Sequence, residues 1–410
     1  MAEGRTPGGP GQVSLEDVEE AALTLAGVAV RTPMEESRWL SGLVGGPVSL
    51  KCENLQRTGS FKARGAYVRM ARLTDAERAR GVVAASAGNH AQGVALAAQT
   101  LGIRATVFMP EGAPIPKENA TRGYGAEVVF AGQYLEDALV AAGRFAEETG
   151  AVLIHPFDHV DVVAGQGTCG LEIMEQAPEA RTVLVPTGGG GLLAGIAIAI
   201  KARHPDVRVV GVQAEHAAAF PGSLAAGAPV ALGEMRTMAD GIAVGRPGAI
   251  TFAAIRDLVD DVVTVSEESL SRALLALVER AKMVVEPAGA AAVAALLDAP
   301  GAFETPVVAV LSGGNIDPLL LGKVIRHGLA AAGRFLYLRV VVADRPGDLA
   351  RLLAEVSAAG GNVLEVAHER TSPRLALDEV EVRLQLETRG GPHTEQLLAR
   401  LRERGYRVEE

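Results

Sequence analysis

Lysine is the scarce cation of this 410-residue chain, and one lysine stands where covalent chemistry is feasible. The sequence contains six lysines and 33 arginines. Arginine stays protonated and is a poor amine nucleophile, so only a lysine can form an imine with a carbonyl group. Lys62 lies in the segment 60–66, which reads SFKARGA and predicts a turn leading into a helix. The residues alone leave two interpretations of Lys62, a covalent lysine or a solvated cation at a helix start.

Four consecutive glycines, Gly188 to Gly191, follow a predicted strand and precede an apolar helix. Glycines allow several backbone N–H groups to approach one anion, and a helix N-terminus adds positive potential. The pattern favours a phosphate ligand, although a tight strand-to-helix turn in a glycine-rich chain would look the same. It is not a GxGxxG motif, and no GK[ST] follows it. It therefore suits a phosphate monoester better than a dinucleotide or a nucleoside triphosphate.

A layered α/β scaffold is predicted to position these residues. A helix at 14–25 begins with the capping pair Ser14 and Asp17. Beyond it, short apolar segments alternate with alanine-rich segments of helix length, which is typical of parallel sheets buried on both faces. In such folds the loops at the carboxyl ends of the strands carry the chemistry. The predicted strands are 81–85, 105–109, 127–130, 152–154, 182–186, 207–212, 262–265 and 307–311.

The pattern changes near residues 329–334, which are rich in alanine and glycine. Strands are predicted at 335–342, 363–368, 379–387 and 406–409, with helices at 346–358 and 393–403. This βαββαβ order is the ferredoxin-like arrangement. We therefore expect a flexible tail at 1–12, a catalytic region at 13–328, a linker at 329–333 and a small domain at 334–410. Within the catalytic region, a small domain of about 50–155 is inserted into a large domain made of 13–49 and 156–328.

Composition and charge exclude several classes of partner. The net charge is −10 and no basic cluster is present, so a nucleic-acid partner is not expected. Two cysteines, Cys52 and Cys169, cannot form a disulfide framework and suggest a reducing cytoplasm. The tail at 1–12 lacks the apolar core of a signal peptide. Segment 183–200 is nearly free of polar groups, but Pro186 and the glycines predict a buried strand, loop and helix rather than a membrane span.

Together with further motifs, Lys62 and the glycines resemble the fold-type II pyridoxal-phosphate (PLP) enzymes, and within them the threonine and serine ammonia-lyases. Segment 60–66 resembles the cofactor-lysine motif, 86–93 (SAGNHAQG) the substrate loop, and 188–192 the phosphate cradle. Segment 312–315 (SGGN) resembles the segment under the pyridine nitrogen. Further similar blocks lie at 164–168, 239–241 and 286–290, in the family's order. The C-terminal part resembles an ACT domain through 344–349 (DRPGDL) and 360–363 (GGNV).

The resemblance implies a role for each matching residue. Lys62 would form a Schiff base with the cofactor and later remove the substrate Cα proton. Two interpretations stay open for each of three side chains. His90 would contact the substrate or have a structural role, and Phe61 would pack beside the cofactor or in the core. Ser312 would bond to the pyridine nitrogen or belong to a simple turn. Glu286 would lie near the ring. The implied cofactor contacts are Phe61, Lys62, Asn89, Gly188, Gly189, Gly190, Gly191, Leu192 and Ser312; the substrate contacts are Ser86, Ala87, Asn89 and His90; the effector contacts are Asp344, Arg345, Pro346, Gly347 and Asn362.

The implied reaction is α,β-elimination, which converts L-threonine to 2-oxobutanoate and ammonia, and L-serine to pyruvate. Racemase relatives carry a serine as a second base where this chain has Ala87, so racemisation should be weak. Gln213 and Ala219 stand where those relatives bind a divalent cation, so no such metal is expected, although Glu215 leaves a weak monovalent ion open. The competing hypotheses are a serine racemase, a β-replacement enzyme and a catalytically silent ACT-based amino-acid sensor. Pairing of ACT domains implies a homo-oligomer, for which we expect a tetramer.

Overall fold

The computed structural model describes residues 12–331, 333–370 and 374–409, and the chain divides into two compact units between Asp317 and Pro318. The predicted tail lies almost entirely outside the described residues. The boundary differs from the linker predicted at 329–333. Helix α14 (Pro318–Ala331) belongs to the second unit and buries Val324, whereas the alanines and glycines at its end had suggested a linker.

The first unit contains two sheets whose strands follow the predicted segments, with ends shifted by at most two residues. The exceptions are β2, which was not among those segments, and β1, which has two glutamates in three residues and no apolar pattern to reveal it. The strands are β1 (Met34–Glu36), β2 (Val48–Lys51), β3 (Val82–Ala85), β4 (Ala105–Met109), β5 (Glu127–Phe130), β6 (Val152–Leu153), β7 (Thr182–Pro186), β8 (Arg208–Ala214), β9 (Asp261–Val265) and β10 (Val307–Val310).

Helices connect these strands and cover both faces of the sheets, as parallel pairing requires. The first helix begins with the predicted capping box, in which Ser14 and Asp17 satisfy each other's backbone N–H groups. The helices of this unit are α1 (Leu15–Thr24), α2 (Arg38–Val44), α3 (Lys62–Ala71), α4 (Asp75–Arg80), α5 (Asn89–Leu101), α6 (Ile115–Gly123), α7 (Leu135–Thr149), α8 (Val160–Gln176), α9 (Gly191–Lys201), α10 (Ala219–Ala226), α11 (Ala249–Leu258), α12 (Glu267–Ala276) and α13 (Pro287–Asp298).

The two sheets define two lobes. The larger sheet has the order β1-β2-β10-β7-β8-β9 and is parallel except for β1. Its core packs Val183, Val185 and Val308 against Leu193 and Ile196 of α9. The smaller sheet has the order β5-β4-β3-β6 and is entirely parallel. Strands β2 and β7, which lie on either side of the smaller sheet's strands in the chain, flank β10 in the larger sheet.

The second unit has the ferredoxin-like topology. Its antiparallel sheet has the order β12-β13-β11-β14, formed by β11 (Phe335–Ala343), β12 (Asn362–Glu369), β13 (Glu379–Glu387) and β14 (Arg407–Glu409). Helices α15 (Asp348–Ala358) and α16 (Gly391–Glu403) supply Leu352, Val356 and Leu397 to its core. Strands β11 and β13 alternate buried and exposed residues, which places one face of the sheet on those helices.

The apolar segment at 183–200 forms strand β7, the glycine loop and helix α9, as predicted. Among the helices that the structure describes, none combines the length and apolar character needed to cross a bilayer.

Candidate active site

A cavity of about 380 Å³ opens where both sheets of the first unit end. Ala85 at the end of β3 and Pro110 beyond β4 line it from the smaller lobe. Pro186 at the end of β7 and Ser312 beyond β10 line it from the larger lobe. Carboxyl ends of parallel strands are where α/β folds place ligands, and this volume is in the range of small-molecule sites. All predicted cofactor and substrate residues of the first unit lie in its wall.

Lys62 projects into this cavity from the first turn of α3. Its Nζ donates a hydrogen bond to the carbonyl oxygen of Pro156 at 2.8 Å and lies 5.2 Å from the ring centroid of Phe61. Burial lowers the pKa of Lys62 to about 8, against an opposing effect of Glu286. A substantial fraction of this amine is therefore neutral near physiological pH, which a nucleophile or a general base requires.

Three other lysines form hydrogen bonds or ion pairs that make them less suitable as a nucleophile. Lys51 is buried and donates to Thr32, Glu172 and Gln176. Lys201 pairs with Asp260. Lys117 also reaches the cavity, but its Nζ pairs with Asp240 at 2.5 Å.

The glycine loop closes another side of the cavity between β7 and α9. Gly190 has a φ of 94°, a conformation that favours glycine. A Cβ on Gly189 would lie 2.5 Å from the ring of Phe157, and one on Gly190 would lie 2.7 Å from Phe220. No side chain fits at these positions, so the backbone amides at the start of α9 stay unobstructed. This is a cradle for an anion.

Residues 86–90 form the turn between β3 and α5. Ser86 accepts a hydrogen bond from the Gly88 amide at 3.1 Å, and the amides that follow lie at a helix N-terminus. The His90 ring points into the protein, where Nε2 donates to the carbonyl oxygen of Ile154 at 2.8 Å. Burial and the charge of Lys62 lower the pKa of His90 to about 3. Of the two roles left open for this side chain, its contacts support the structural one.

Asn89 and Glu286 meet at the cavity wall, where Asn89 Nδ2 donates to Glu286 Oε1 at 2.5 Å. Burial, and then the charge of Asp240, raise the pKa of Glu286 to about 7. The resemblance placed Glu286 near the ring, but nothing in the sequence indicated its hydrogen bond with Asn89. Lys117 and Asp240 were not singled out at all, although Asp240 lies in one of the family-like blocks.

Ser312 follows β10 and is buried in the cavity wall. Its carbonyl oxygen accepts a hydrogen bond from the Phe61 amide at 3.2 Å, which ties this segment to the lysine loop. The segments carrying Lys62 and Ser312, far apart in sequence, are therefore fixed to each other by the backbone.

The structure does not bring the predicted effector residues together. Asp344, Arg345 and Pro346 line one surface pocket of the second unit, and Asp344 pairs with Arg370. Asn362 lines a different pocket.

Gln213, which stands at the relatives' cation position, is buried and bonded within the protein to Phe220 and Thr187. Across the described residues, no group of three or more histidine, cysteine, aspartate or glutamate side chains could hold a metal.

The first unit thus has the features of a two-lobed α/β enzyme with an amine and an anion cradle on one cavity. A profile of the family described as pyridoxal-phosphate dependent enzyme matches residues 25–313. The chain belongs to this family of PLP-dependent enzymes.

Similar proteins extend over nearly the whole chain. The L-threonine ammonia-lyase of Thermotoga maritima is 47% identical over 396 residues, which is 97% of this chain and 99% of the relative. The L-threonine ammonia-lyase of Geobacter sulfurreducens is 48% identical over 393 residues, which is 96% and 98% of the two chains. Matches of this length include the second unit.

Solved structures support the same fold. The crystal structure of a T.th. threonine deaminase has a TM-score of 0.71 and 47% identity, and the match covers 74% of this chain and 99% of that one. Maize serine racemase has a TM-score of 0.73 and 36% identity, covering 78% and 98%. The first unit therefore has the fold-type II PLP-enzyme fold.

Pyridoxal phosphate fits the residues that are present. The cradle at Gly188–Gly191, in which Gly189 and Gly190 leave no room for a side chain, suits the phosphate, and the partly neutral amine of Lys62 suits the aldehyde. Asn89 and Ser312 also line the cavity and have polar side chains that could bond to the cofactor ring.

Proposed function

We propose that this enzyme converts L-threonine to 2-oxobutanoate and ammonia, and L-serine to pyruvate and ammonia. The proposal rests on one observation above all: Lys62, with its lowered pKa, shares a cavity with the glycine cradle. The similarity to two L-threonine ammonia-lyases over nearly the full chain supports threonine as the substrate.

Bound pyridoxal phosphate supplies an aldehyde that condenses with amines and a ring that withdraws electrons from the substrate Cα. Lys62 would hold the cofactor before substrate arrives, and its freed Nζ would then take the Cα proton. A pKa of about 8 suits this task, because the amine is neutral often enough to accept a proton and basic enough to keep it. The β-hydroxyl group would leave as water, which takes up the proton removed from Cα, and a second water would hydrolyse the resulting enamine to the oxoacid and ammonia.

Each cofactor-binding residue would act on a different part of the cofactor. Gly188 to Gly191 and the Leu192 amide would bind the phosphate. Phe61 would pack beside the ring, and Asn89 would donate to its phenolic oxygen. Ser312 would hydrogen-bond the pyridine nitrogen without the negative charge that favours its protonation. A milder electron sink results, which suits elimination more than transamination.

The turn at 86–90 would bind the substrate carboxylate. Backbone amides at the start of α5, with the Ser86 hydroxyl and Asn89, provide the donors. His90 would contribute its backbone, since its ring is bonded to Ile154. Ala87 has no proton to deliver to the opposite face of Cα, so D-amino acids should form slowly if at all.

An assay of ammonia and 2-oxobutanoate from L-threonine tests the function. The cofactor-loaded enzyme should form both in equal amounts, and Lys62→Ala should form neither. Lys201→Ala is the matched control, since Lys201 pairs with Asp260 and does not line the cavity. Borohydride reduction followed by peptide mapping should label Lys62. Production of D-serine from L-serine as the main reaction would instead identify a racemase, and label on another residue would refute the assignment.

We also propose that the second unit is an ACT regulatory domain that binds an amino-acid effector near Asp344, Arg345, Pro346, Gly347 and Asn362. Its ferredoxin-like topology and the loop between β11 and α15 support this. Since Asn362 lines a different pocket from the others, a complete effector site would need two paired domains. We propose that this pairing occurs in a homotetramer and that the enzyme is cytoplasmic. Light scattering, with activity measured against added branched-chain amino acids, tests the tetramer and the effector.

A further inference from the structure

Two asparagine amides form a row from the backbone to the cavity. Asn315 Nδ2 donates to the carbonyl oxygen of Thr58 at 2.6 Å and to Asn89 Oδ1 at 2.8 Å. Asn89 Nδ2 donates in turn to Glu286 Oε1 at 2.5 Å. Asn89 and Glu286 line the cavity, whereas Asn315 is not part of its wall.

The hydrogen bond from Asn315 to the Thr58 carbonyl oxygen determines which atom donates in each of the other two hydrogen bonds. A backbone carbonyl oxygen only accepts, so the Asn315 atom facing Thr58 must be the nitrogen. The second hydrogen of that nitrogen points at Asn89, whose facing atom must therefore be the oxygen. The nitrogen of Asn89 is then left for Glu286 and for the cavity. Asn315 thus decides which end of the Asn89 amide reaches a ligand.

The surrounding backbone is built around this row. A Cβ on Gly59 would lie 2.5 Å from Asn315 Oδ1, and one on Gly313 would lie 2.3 Å from Glu286 Oε1. Thr58, which presents the anchoring carbonyl, has a φ of 62°, an unusual conformation for a β-branched residue. Such strained positions persist where the surrounding structure holds them, and they concentrate at functional sites.

We infer that Asn315 is a positioning residue that turns the Asn89 amide so that an N–H, and not the oxygen, faces the cofactor. The inference rests on the proposed function, in which Asn89 donates to the phenolic oxygen of pyridoxal phosphate. One hydrogen of Asn89 Nδ2 serves Glu286, and within the described part of the chain no protein acceptor is bonded to the other. An ionised phenolic oxygen accepts that hydrogen and would be repelled by an amide oxygen.

Asn315→Asp tests this orientation. The carboxylate has no hydrogen for Asn89 Oδ1 and attracts a donor instead, so the Asn89 amide turns and presents its oxygen to the cavity. We expect the dissociation constant of pyridoxal phosphate to rise by about tenfold, the size of one lost hydrogen bond. The pH at which the bound cofactor's visible absorbance changes should move up by roughly one unit, because negative charge left on the phenolic oxygen retains a nearby proton.

Asn54→Asp is the matched control. Asn54 is buried near the same loop, whereas Asn315 is half-buried, and Asn54 Nδ2 donates to the carbonyl oxygen of Val284 at 3.3 Å without bonding to Asn89. This change removes a donor and adds a charge, but it should leave the absorbance transition in place. If Asn315→Asp behaves like Asn54→Asp, the inference is wrong.

Asn315→Ala separates the remaining outcomes, since it removes the orienting donor without adding charge. It should shift the absorbance transition in the same direction, by less. If both Asn315 variants fail to fold while Asn54→Asp folds, Asn315 is a packing residue and the inference is also wrong. A wild-type enzyme that binds no pyridoxal phosphate would refute the proposed function itself, before any variant is compared.

Discussion

Arg64 and Lys62 both lie in the first turn of α3, but their charged groups enter two polar regions with different kinds of bonding partner. Arg64 of α3 enters an ion cluster, which we define as Lys51, Glu53, Arg64 and Glu172. Lys62, two residues earlier, enters the cavity with Asn89 and Glu286. In the ion cluster, opposite charges pair closely. In the cavity, burial has the largest effect on the pKa values of Lys62 and Glu286.

In the ion cluster every charge has a close opposite. Arg64 bonds to Glu53 at 2.8 Å and to Glu172 at 2.6 Å, and Lys51 bonds to Glu172 at 2.6 Å. Burial alone would raise the pKa of Glu53, but Arg64 and the hydrogen bonds hold it below its usual value. These ion pairs fix α3 to α8 and to the loop after β2.

In the cavity, Lys62 and Glu286 form hydrogen bonds with neutral partners, unlike the ion pair of Lys117 and Asp240. Lys62 bonds to a carbonyl and Glu286 to an amide, so burial dominates both. The pKa of the base falls to about 8 and that of the acid rises to about 7. Groups that can gain or lose a proton near neutral pH are those a reaction can use. The contrast shows that pairing, rather than burial, separates structural charges from chemical ones.

The largest expected effect is that of Lys62→Met on catalysis. We expect ammonia release from L-threonine to fall by at least about a thousandfold, because the holding amine and the proton acceptor are both lost. The free energy of unfolding of the cofactor-free protein should not decrease, since an apolar side chain replaces a poorly paired cation. Chemical denaturation checks the second part. A large loss of stability would mean that Lys62 is a structural cation like Arg64.

Arg64→Met should give the opposite pattern. Removing one partner leaves Glu53 buried and unpaired, which should cost roughly 3–5 kcal/mol of unfolding free energy. The folded fraction should keep a turnover number close to that of the wild type. Urea denaturation and active-site titration measure the two quantities. A normal stability would show that the cluster does not depend on pairing.

Glu286→Gln isolates the effect of burial on an acid. The folded-state pKa of Glu286, about 7, lies above its ordinary value of 4.5, so the folded protein binds the proton more tightly. Stability from this group is present below pH 4.5 and is lost as the pH rises through 7. The variant should match the wild type at pH 4.5 and exceed its unfolding free energy by roughly 3 kcal/mol at pH 8. A difference in unfolding free energy between the variant and the wild type that stays constant with pH would contradict this.

The smallest effect should come from Asp240→Asn at the partly exposed pair with Lys117. Exposed pairs contribute less than about 1 kcal/mol, so the unfolding free energy should barely change. Asp240 also raises the pKa of Glu286, so the stability transition assigned to Glu286 should move to lower pH. Repeating the pH series in this variant measures the shift. An unchanged transition would mean that burial alone sets the pKa of Glu286.

Local sequence patterns predicted most of the strands, the first helix and the glycine loop, whereas the family resemblance predicted residues such as Asn89 and Ser312 near the cofactor. Apolar periodicity marks a buried strand, and glycines before an apolar helix mark an anion cradle whatever the rest of the chain does. Local patterns gave no prediction where two interacting residues are distant in the chain. Glu172, which pairs with Arg64 from 108 residues away, carried no signal. Helix α14 extends into the first residues of the linker predicted at 329–333, where alanine and glycine give no local sign of a helix.

What the amino-acid sequence determined by itself is therefore the kind of side chain available at each strand end and the order of the elements. Only the tertiary structure decided that Lys62 bonds to a carbonyl oxygen while Arg64 bonds to two carboxylates. It also decided that the His90 ring turns inward and that Asn315 donates to Asn89. The physical reason is that a residue's type is local, whereas its pKa and its hydrogen-bond direction depend on burial and on charges brought together through space.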